Sequence, residues 1–226
     1  MIGVMGEKGE ARAPTLVESL RQSTQTLHLE AERSGFIRQL LRGHGNREGY
    51  VLLIRSLQPV YDALERGITE NRTLPLVQAI YDDRLWRSGA LVSDLKHLAG
   101  SRWEQDVSAL PAGERYAQRI RHLSSAKPEL LVAHAYVRYL GDLSGGQILR
   151  RLLARSLGLG DAELSFYAFA RIEDVDSFKA RYLAGLNDAA RGADTAGIAE
   201  EARLVFGLNI ELSEAVLGRI GSAVVA

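Results

Sequence analysis

Residues 129–149 read Glu-Leu-Leu-Val-Ala-His-Ala-Tyr-Val-Arg-Tyr-Leu-Gly-Asp-Leu-Ser-Gly-Gly-Gln-Ile-Leu. Apolar residues recur at helical spacing on both sides of Gly141-Asp142-Leu143-Ser144-Gly145-Gly146. Each of the three glycines in that hexapeptide costs a helix about 1 kcal/mol relative to alanine, so a compensating gain is expected. Glycine inside an element often marks a close approach of the backbone to a ligand. Gly141 and Gly145 lie one turn apart on one face. A flat ligand can rest on bare backbone there, and the glycines permit a bend as that ligand changes. Tight packing of two helices through small residues, or a helix that ends at Gly141, accounts for the same pattern. Asp142 within it reads either as an exposed helix breaker or as a hydrogen-bond anchor for water beside a reacting ligand.

Outward from this stretch the whole chain has helical period. Thr15-Leu16-Val17-Glu18 is a capping box after Pro14, which predicts a helix to about Arg33, stopped by Ser34-Gly35. A short helix to Gly43 follows. Asn46 caps the next, Arg47 to about Glu70, kinked at Pro59. Asp82 or Asp83 opens another that ends near Gly100, and 101–111 read as a loop. Helices are expected over Pro111–Ser124, Pro128–Leu157, Glu173–Ala190 and Thr195–Gly218, with an irregular aromatic stretch, Phe166-Tyr167-Ala168-Phe169, between the second and third of these. No repeat and no strand-like alternation stands out. The expectation is a single all-α domain of seven or eight helices over residues 14–220, flanked by a flexible segment 1–13 and a short tail 221–226.

The first helix carries a second chemical pattern. Val17 lies eleven residues before His28 and Thr24 one turn before it, which puts His28 on the half-apolar face expected to meet the core. Glu32 is one turn onward and within reach. A carboxylate beside an imidazole fixes its tautomer and raises its basicity, as partners of metal-bound histidines do. Arg21, seven residues back, shares nearly the same face about 10 Å along the axis. A core histidine with a solvated carboxylate fits the same residues. His44, His97 and His122 read as surface residues; His134, seven residues before Gly141 on a similar face, stays open as a ligand.

Composition narrows the chemistry. With 226 residues the chain fits one core. Lys plus Arg equals Asp plus Glu at 28 each, so no global charge argues for nucleic acid. The absence of cysteine excludes disulfides, iron–sulfur clusters, thiolate-ligated haem and covalent CxxCH haem attachment, and it fits a reducing, cytoplasmic setting. Residues 1–13 lack the apolar core of a signal peptide, and no apolar run reaches the roughly 20 residues of a bilayer span.

Tyr136-Val137-Arg138-Tyr139-Leu140-Gly141-Asp142-Leu143-Ser144-Gly145-Gly146-Gln147 resembles the distal-helix signature of the biliverdin-producing haem oxygenases. Thr26-Leu27-His28-Leu29-Glu30-Ala31-Glu32 is similar to that family's proximal segment. Further matches follow in family order from about residue 15 to 218, including Val60-Tyr61, Phe178-Lys179 and Phe206 with Leu208-Asn209-Ile210. The resemblance implies an all-α fold with haem b, both cofactor and substrate, between a proximal helix and a kinked distal helix. It implies His28 as the proximal iron ligand with Glu32 as its partner, and Gly141 and Gly145 close to the distal face. Asp142 would anchor a water network that delivers a proton to the O2 being activated, assisted by Tyr61 and Arg138. Arg21, Tyr136 and Lys179 would hold the propionates, and Phe206 would contact the haem. Products would be biliverdin, CO and ferrous iron, with electrons from a ferredoxin or flavin reductase, and neither nucleic acid nor membrane as partner.

Two positions depart from the family pattern. Leu183 stands where many members have Arg, and Gln25 where some have Lys. Arg181 is two residues off, about 200° around a helix, and does not substitute. Fewer cationic contacts bear on the in-plane orientation of haem, for which α-meso cleavage is the expectation. A non-catalytic haem carrier on the same fold would have no need of Asp142. Thiaminase-like helical enzymes should not pair His28 with this glycine signature. A di-iron bundle needs Glu-x-x-His pairs, and the chain has only Asp94-x-x-His97.

Overall fold

The computed structural model describes residues 13–223, which hold ten α-helices, four short 3-10 turns and no strand. The helices are α1 (Leu16–Glu32), α2 (Gly35–Leu41), α3 (Arg47–Glu70), α4 (Pro75–Ile80), α5 (Ser88–Ala99), α6 (Trp103–Asp106), α7 (Pro111–Ala126), α8 (Leu131–Leu157), α9 (Val175–Ala189) and α10 (Ala196–Ala223). The segment expected to be flexible, 1–13, lies outside the described residues except for Ala13. Of the expected tail, residues 221–223 continue α10 and the rest lies outside.

Local chemistry sets the ends of these helices. Thr15 Oγ1 accepts from the Glu18 amide at 3.3 Å, and Glu18 returns a carboxylate to the Thr15 amide at 2.7 Å, which satisfies two amides the helix itself cannot. Asn46 caps α3 by accepting from the Gly49 amide at 2.8 Å. Pro59 removes the amide that would bond the Arg55 carbonyl, and α3 continues past it to Glu70. Gly35, at φ +51°, sits so close to the backbone of Ser213 and Glu214 that a β-carbon would overlap it. Only glycine lets the junction of α1 and α2 press against α10 there.

Four sequence expectations are corrected. Residues 75–80 form α4, with Pro75 at its first turn; six residues are too few to show a helical period. The stretch 101–111 contains the single turn α6, whose Trp103 is buried beneath the Arg55 guanidinium. Asp82 caps a 3-10 turn, Asp83–Leu85, and α5 begins only at Ser88. Its first amide, that of Ser88, and the preceding Arg87 amide are taken by the Glu65 carboxylate of α3, a tertiary cap invisible to local pattern. Pro128 starts a 3-10 turn ahead of α8.

The core is built around α3, which packs on α5, α7, α8 and α10 and buries Tyr50, Ile54, Val60, Tyr61, Leu64 and Ile68 completely. A second layer joins α1 to α9 and α10. α8 is a single α-helix from Leu131 to Leu157 that includes the glycine stretch, so it does not end at Gly141. It lies against α10, α3 and α2. α1 and α8 meet at a cavity rather than along a packed seam.

Candidate functional site

α1 delivers His28 to that cavity. The buried stripe of α1 runs Leu16, Val17, Leu20, Thr24, and His28 is the next position on it. There the core gives way to an open cavity of about 640 Å³ lined by Glu18, Arg21, Gln22, Thr24, Gln25, His28, Leu29 and Tyr136, within the size range of small-ligand sites. The His28 side chain is 59% exposed. The expectation that it meets the core is therefore corrected: it continues the core-facing stripe but faces open space. Its ring lies 5.9 Å from that of Phe206 on α10, and its Nδ1 is 3.4 Å from Glu32 Oε1. Nε2 is thereby left for a ligand. Tyr136 of α8 borders the same cavity, and burial raises the pKa of its hydroxyl while the neighbouring Arg21 guanidinium works against that rise.

A second cluster lies behind the exposed face of α8. Tyr61 Oη donates to Asp142 Oδ2. Arg138 Nε donates to Tyr61 Oη at 2.8 Å, its Nη2 lies 3.4 Å from Asp142 Oδ1, and its Nη1 donates to Asn209 Oδ1 at 2.7 Å. Tyr61 and Asp142 are buried. Burial pushes the Asp142 carboxyl up, with Arg138, the Tyr61 hydroxyl and Arg87 pulling it partly back. Burial likewise drives the Tyr61 hydroxyl well up, with Arg138 opposing. A carboxyl so placed holds a proton more readily than one in water, while its partners fix its orientation.

The glycines divide by face. A β-carbon on Gly141 or Gly145 would meet nothing within 4 Å, whereas one on Gly146 would lie 2.8 Å from the Tyr167 ring. Gly146 is explained by packing; Gly141 and Gly145 are not. Those two, with Ser144 and Ile148, form a strip of α8 exposed beside the buried Asp142 and Leu143. Lys179 of α9 reaches this strip, its Nζ donating to Ser144 Oγ at 3.2 Å. Bare backbone, one exposed apolar side chain and a cation at the edge suit a flat, mostly apolar ligand with anionic groups.

The sequence-derived site residues thus fall into three groups: His28, Glu32, Arg21, Tyr136 and Phe206 about the cavity; Tyr61, Arg138 and Asp142 in the buried network; Gly141, Gly145 and Lys179 along the exposed strip. α8 carries members of all three. His134 belongs to none. It is fully buried, and its Nε2 lies 3.0 Å from Glu201 Oε1, a carboxylate also bound by Arg119. Asn209 and Ser144 were given no role in the sequence. Asn209 lies three residues after Phe206, a helical spacing that offered the one usable signal.

Among the described residues, an all-helical frame with a solvent-facing imidazole, an uncovered glycine strip and a buried carboxyl whose titration is raised suits a flat prosthetic group with an acid beside it. Residues 14–215 match the family model described as heme oxygenase. Heme oxygenase 1 of Nostoc sp. is 37% identical over 92% of this chain and 89% of its own. Among solved structures, heme oxygenase-1 of Synechocystis sp. in complex with heme aligns with a TM-score of 0.85 at 35% identity, over 93% of this chain and 96% of that one. Heme oxygenase-2 of Synechocystis sp., in complex with heme and NO, gives 0.87 at 33% identity, over 93% and 88%. The chain belongs to the haem oxygenase family. Among the described residues no helix is long and apolar enough to cross a membrane, and no cluster of three or more His, Asp or Glu could hold a free metal ion.

Proposed function

We propose that this chain cleaves haem oxidatively to biliverdin, CO and ferrous iron, with His28 as the proximal ligand. The observation that carries the reading is the pairing of a cavity-facing imidazole backed by Glu32 with the uncovered backbone of Gly141 and Gly145. These residues fit haem: one imidazole nitrogen facing the cavity, room for a flat ring without a β-carbon in the way, and cations for its two carboxylates. Bound haem supplies the iron that activates O2 and the ring that is opened.

The protein's own groups do the rest. Glu32 holds Nδ1–H of His28 so that Nε2 points outward as a lone-pair donor. Arg21, Tyr136 and Lys179 pair with the propionates. The bare backbone of Gly141 and Gly145 leaves that face of α8 without a bulky side chain where the ring would lie. Asp142, buried and oriented by Tyr61 and Arg138, would serve as the proton source beside the face of α8 that carries Gly141 and Gly145, burial favouring its protonated form. Phe206 flanks the imidazole. Electrons come from a ferredoxin or flavin reductase, and a cytoplasmic location is supported by the cysteine-free composition.

Hemin titration of the wild type and of His28→Ala tests the ligand. The wild type should give a sharp Soret band at one equivalent, and His28→Ala a weaker, shifted band that exogenous imidazole restores. An unchanged band in His28→Ala would overturn the assignment.

A further inference from the structure

The turn Ser165–Tyr167 is held at both ends by buried charges that the reaction does not use. The Asp94 carboxylate of α5 accepts from the Ser165 amide at 2.9 Å, the Phe166 amide at 2.9 Å and the Ser165 hydroxyl. The Arg87 guanidinium donates to the Ala168 carbonyl at 2.7 Å and the Phe166 carbonyl at 3.3 Å, and lies 4.0 Å over the Phe169 ring. Asp94 is fully buried and Arg87 nearly so. Such a commitment of charge to a three-residue turn is costly unless the turn must be held in one place.

What the turn touches gives the reason. The Phe166 ring packs edge-on to Tyr61 at 5.4 Å and onto the Tyr167 ring at 4.6 Å. Tyr167 fills the space beside Gly146, one turn past Asp142, and its carbonyl accepts from Gln147 Nε2 at 2.8 Å. The turn therefore abuts both the donor and the helix of the acceptor in the Tyr61–Asp142 hydrogen bond. We infer that Asp94 and Arg87 are positioning residues, which act through the 165–169 strap to keep the Tyr61 hydroxyl on Asp142. This rests on the proton-holding role read for Asp142.

The groups facing Asp142 are Tyr61 from α3, Arg138 from its own helix, Arg87 at the start of α5, and the phenols of Tyr116, Tyr139 and Tyr167. Loosening the strap removes the Tyr61 hydrogen bond, which pulls the Asp142 carboxyl down, so its titration should move up. Removing the negative charge of Asp94 acts directly in the opposite direction. Direction thus separates positioning from charge.

The test is a carbon NMR titration of aspartate-labelled, haem-free full-length protein, with Tyr61→Phe as reference. Asp94→Asn and Phe166→Leu should each raise the Asp142 midpoint by at least a third of the Tyr61→Phe shift. In the haem-loaded protein the alkaline limb of turnover should move with it, and Asp94→Glu should restore part of the wild-type midpoint. Folded variants whose Asp142 titrates as in the wild type, or lower, with only the melting temperature changed, would overturn the inference. Should Asp94→Asn not fold, Phe166→Leu, which keeps every charge, decides alone. Because Asp142 is observed without haem, a failed strap is distinguishable from a failed assignment of the reaction.

Discussion

Gly145→Ala should make the haem-free protein more stable and the haem complex worse. Alanine in a helix interior is favoured over glycine by about 1 kcal/mol. Nothing lies within 4 Å of the added β-carbon, so no steric cost offsets that gain. For a chain of this size the melting temperature should rise by about 2–4 °C. Gly146→Ala receives the same helical gain, but its β-carbon lies 2.8 Å from a Tyr167 ring that is buried against Phe166. Overpacking of that kind costs about 1–3 kcal/mol, so its melting temperature should stay level or fall. When haem rests on the α8 backbone, the Gly145 methyl group meets the ring, and a similar cost of about 1–3 kcal/mol weakens hemin binding roughly 5- to 150-fold. Circular dichroism melts of the haem-free variants and Soret titrations of the same samples provide both numbers. A Gly145→Ala protein that melts below the wild type would refute the open face. One that is stabilised yet binds and turns over hemin as the wild type does would refute the placement of haem against α8.

Other outcomes follow from the same geometry. Tyr61→Phe strands a buried Asp142 oxygen and should cost about 1–3 kcal/mol in denaturant melts, with haem cleavage slowed more than hemin binding. The Asp142 carboxyl titrates above its unfolded value, so its proton is fully held at low pH and lost as pH rises through the folded value. Turnover should therefore fall on an alkaline limb that Asp142→Asn removes, and an unchanged limb would count against the proton-holding role. Burial raises the Glu201 carboxyl, but hydrogen bonds from His134 and Arg119 outweigh it and hold the group at about 2. A depressed carboxyl contributes stability above its unfolded value that is lost as pH falls through the folded one. About 2–3 kcal/mol should disappear between pH 5 and 2, and Glu201→Gln should flatten that loss in acid denaturation. Product chromatography should show the α isomer of biliverdin, despite Leu183 and Gln25; the β or δ isomer would show that Arg21, Tyr136 and Lys179 do not fix the ring as read.

Long, capped helices were legible because their signals are local. The Thr15–Glu18 box and Asn46 place the starts of α1 and α3 to the residue. α4 and α6 were missed because a helix of four to six residues shows no period, and the start of α5 because its cap is Glu65, a residue of another helix. At the site, residue types at helical spacing pointed to His28 with Glu32 and to Gly141 with Gly145. Periodicity placed His28 on the core-facing stripe but not at the point where the core stops. It also left His134 open, because its partner Glu201 is distant in sequence. Arg87 and Asp94 gave no local signal for their roles, which exist only once α5 packs against the 165–169 segment, and Asn209 gave only its helical spacing from Phe206.

The central claim is that haem held by His28 is consumed rather than carried. One equivalent of hemin added to the purified protein, followed by a reductant in air, tests it directly. A Soret band that forms and then decays into the broad red absorbance of biliverdin, with CO released, is the expected result. A Soret band that persists with every electron donor offered, with no bilin formed, would contradict it.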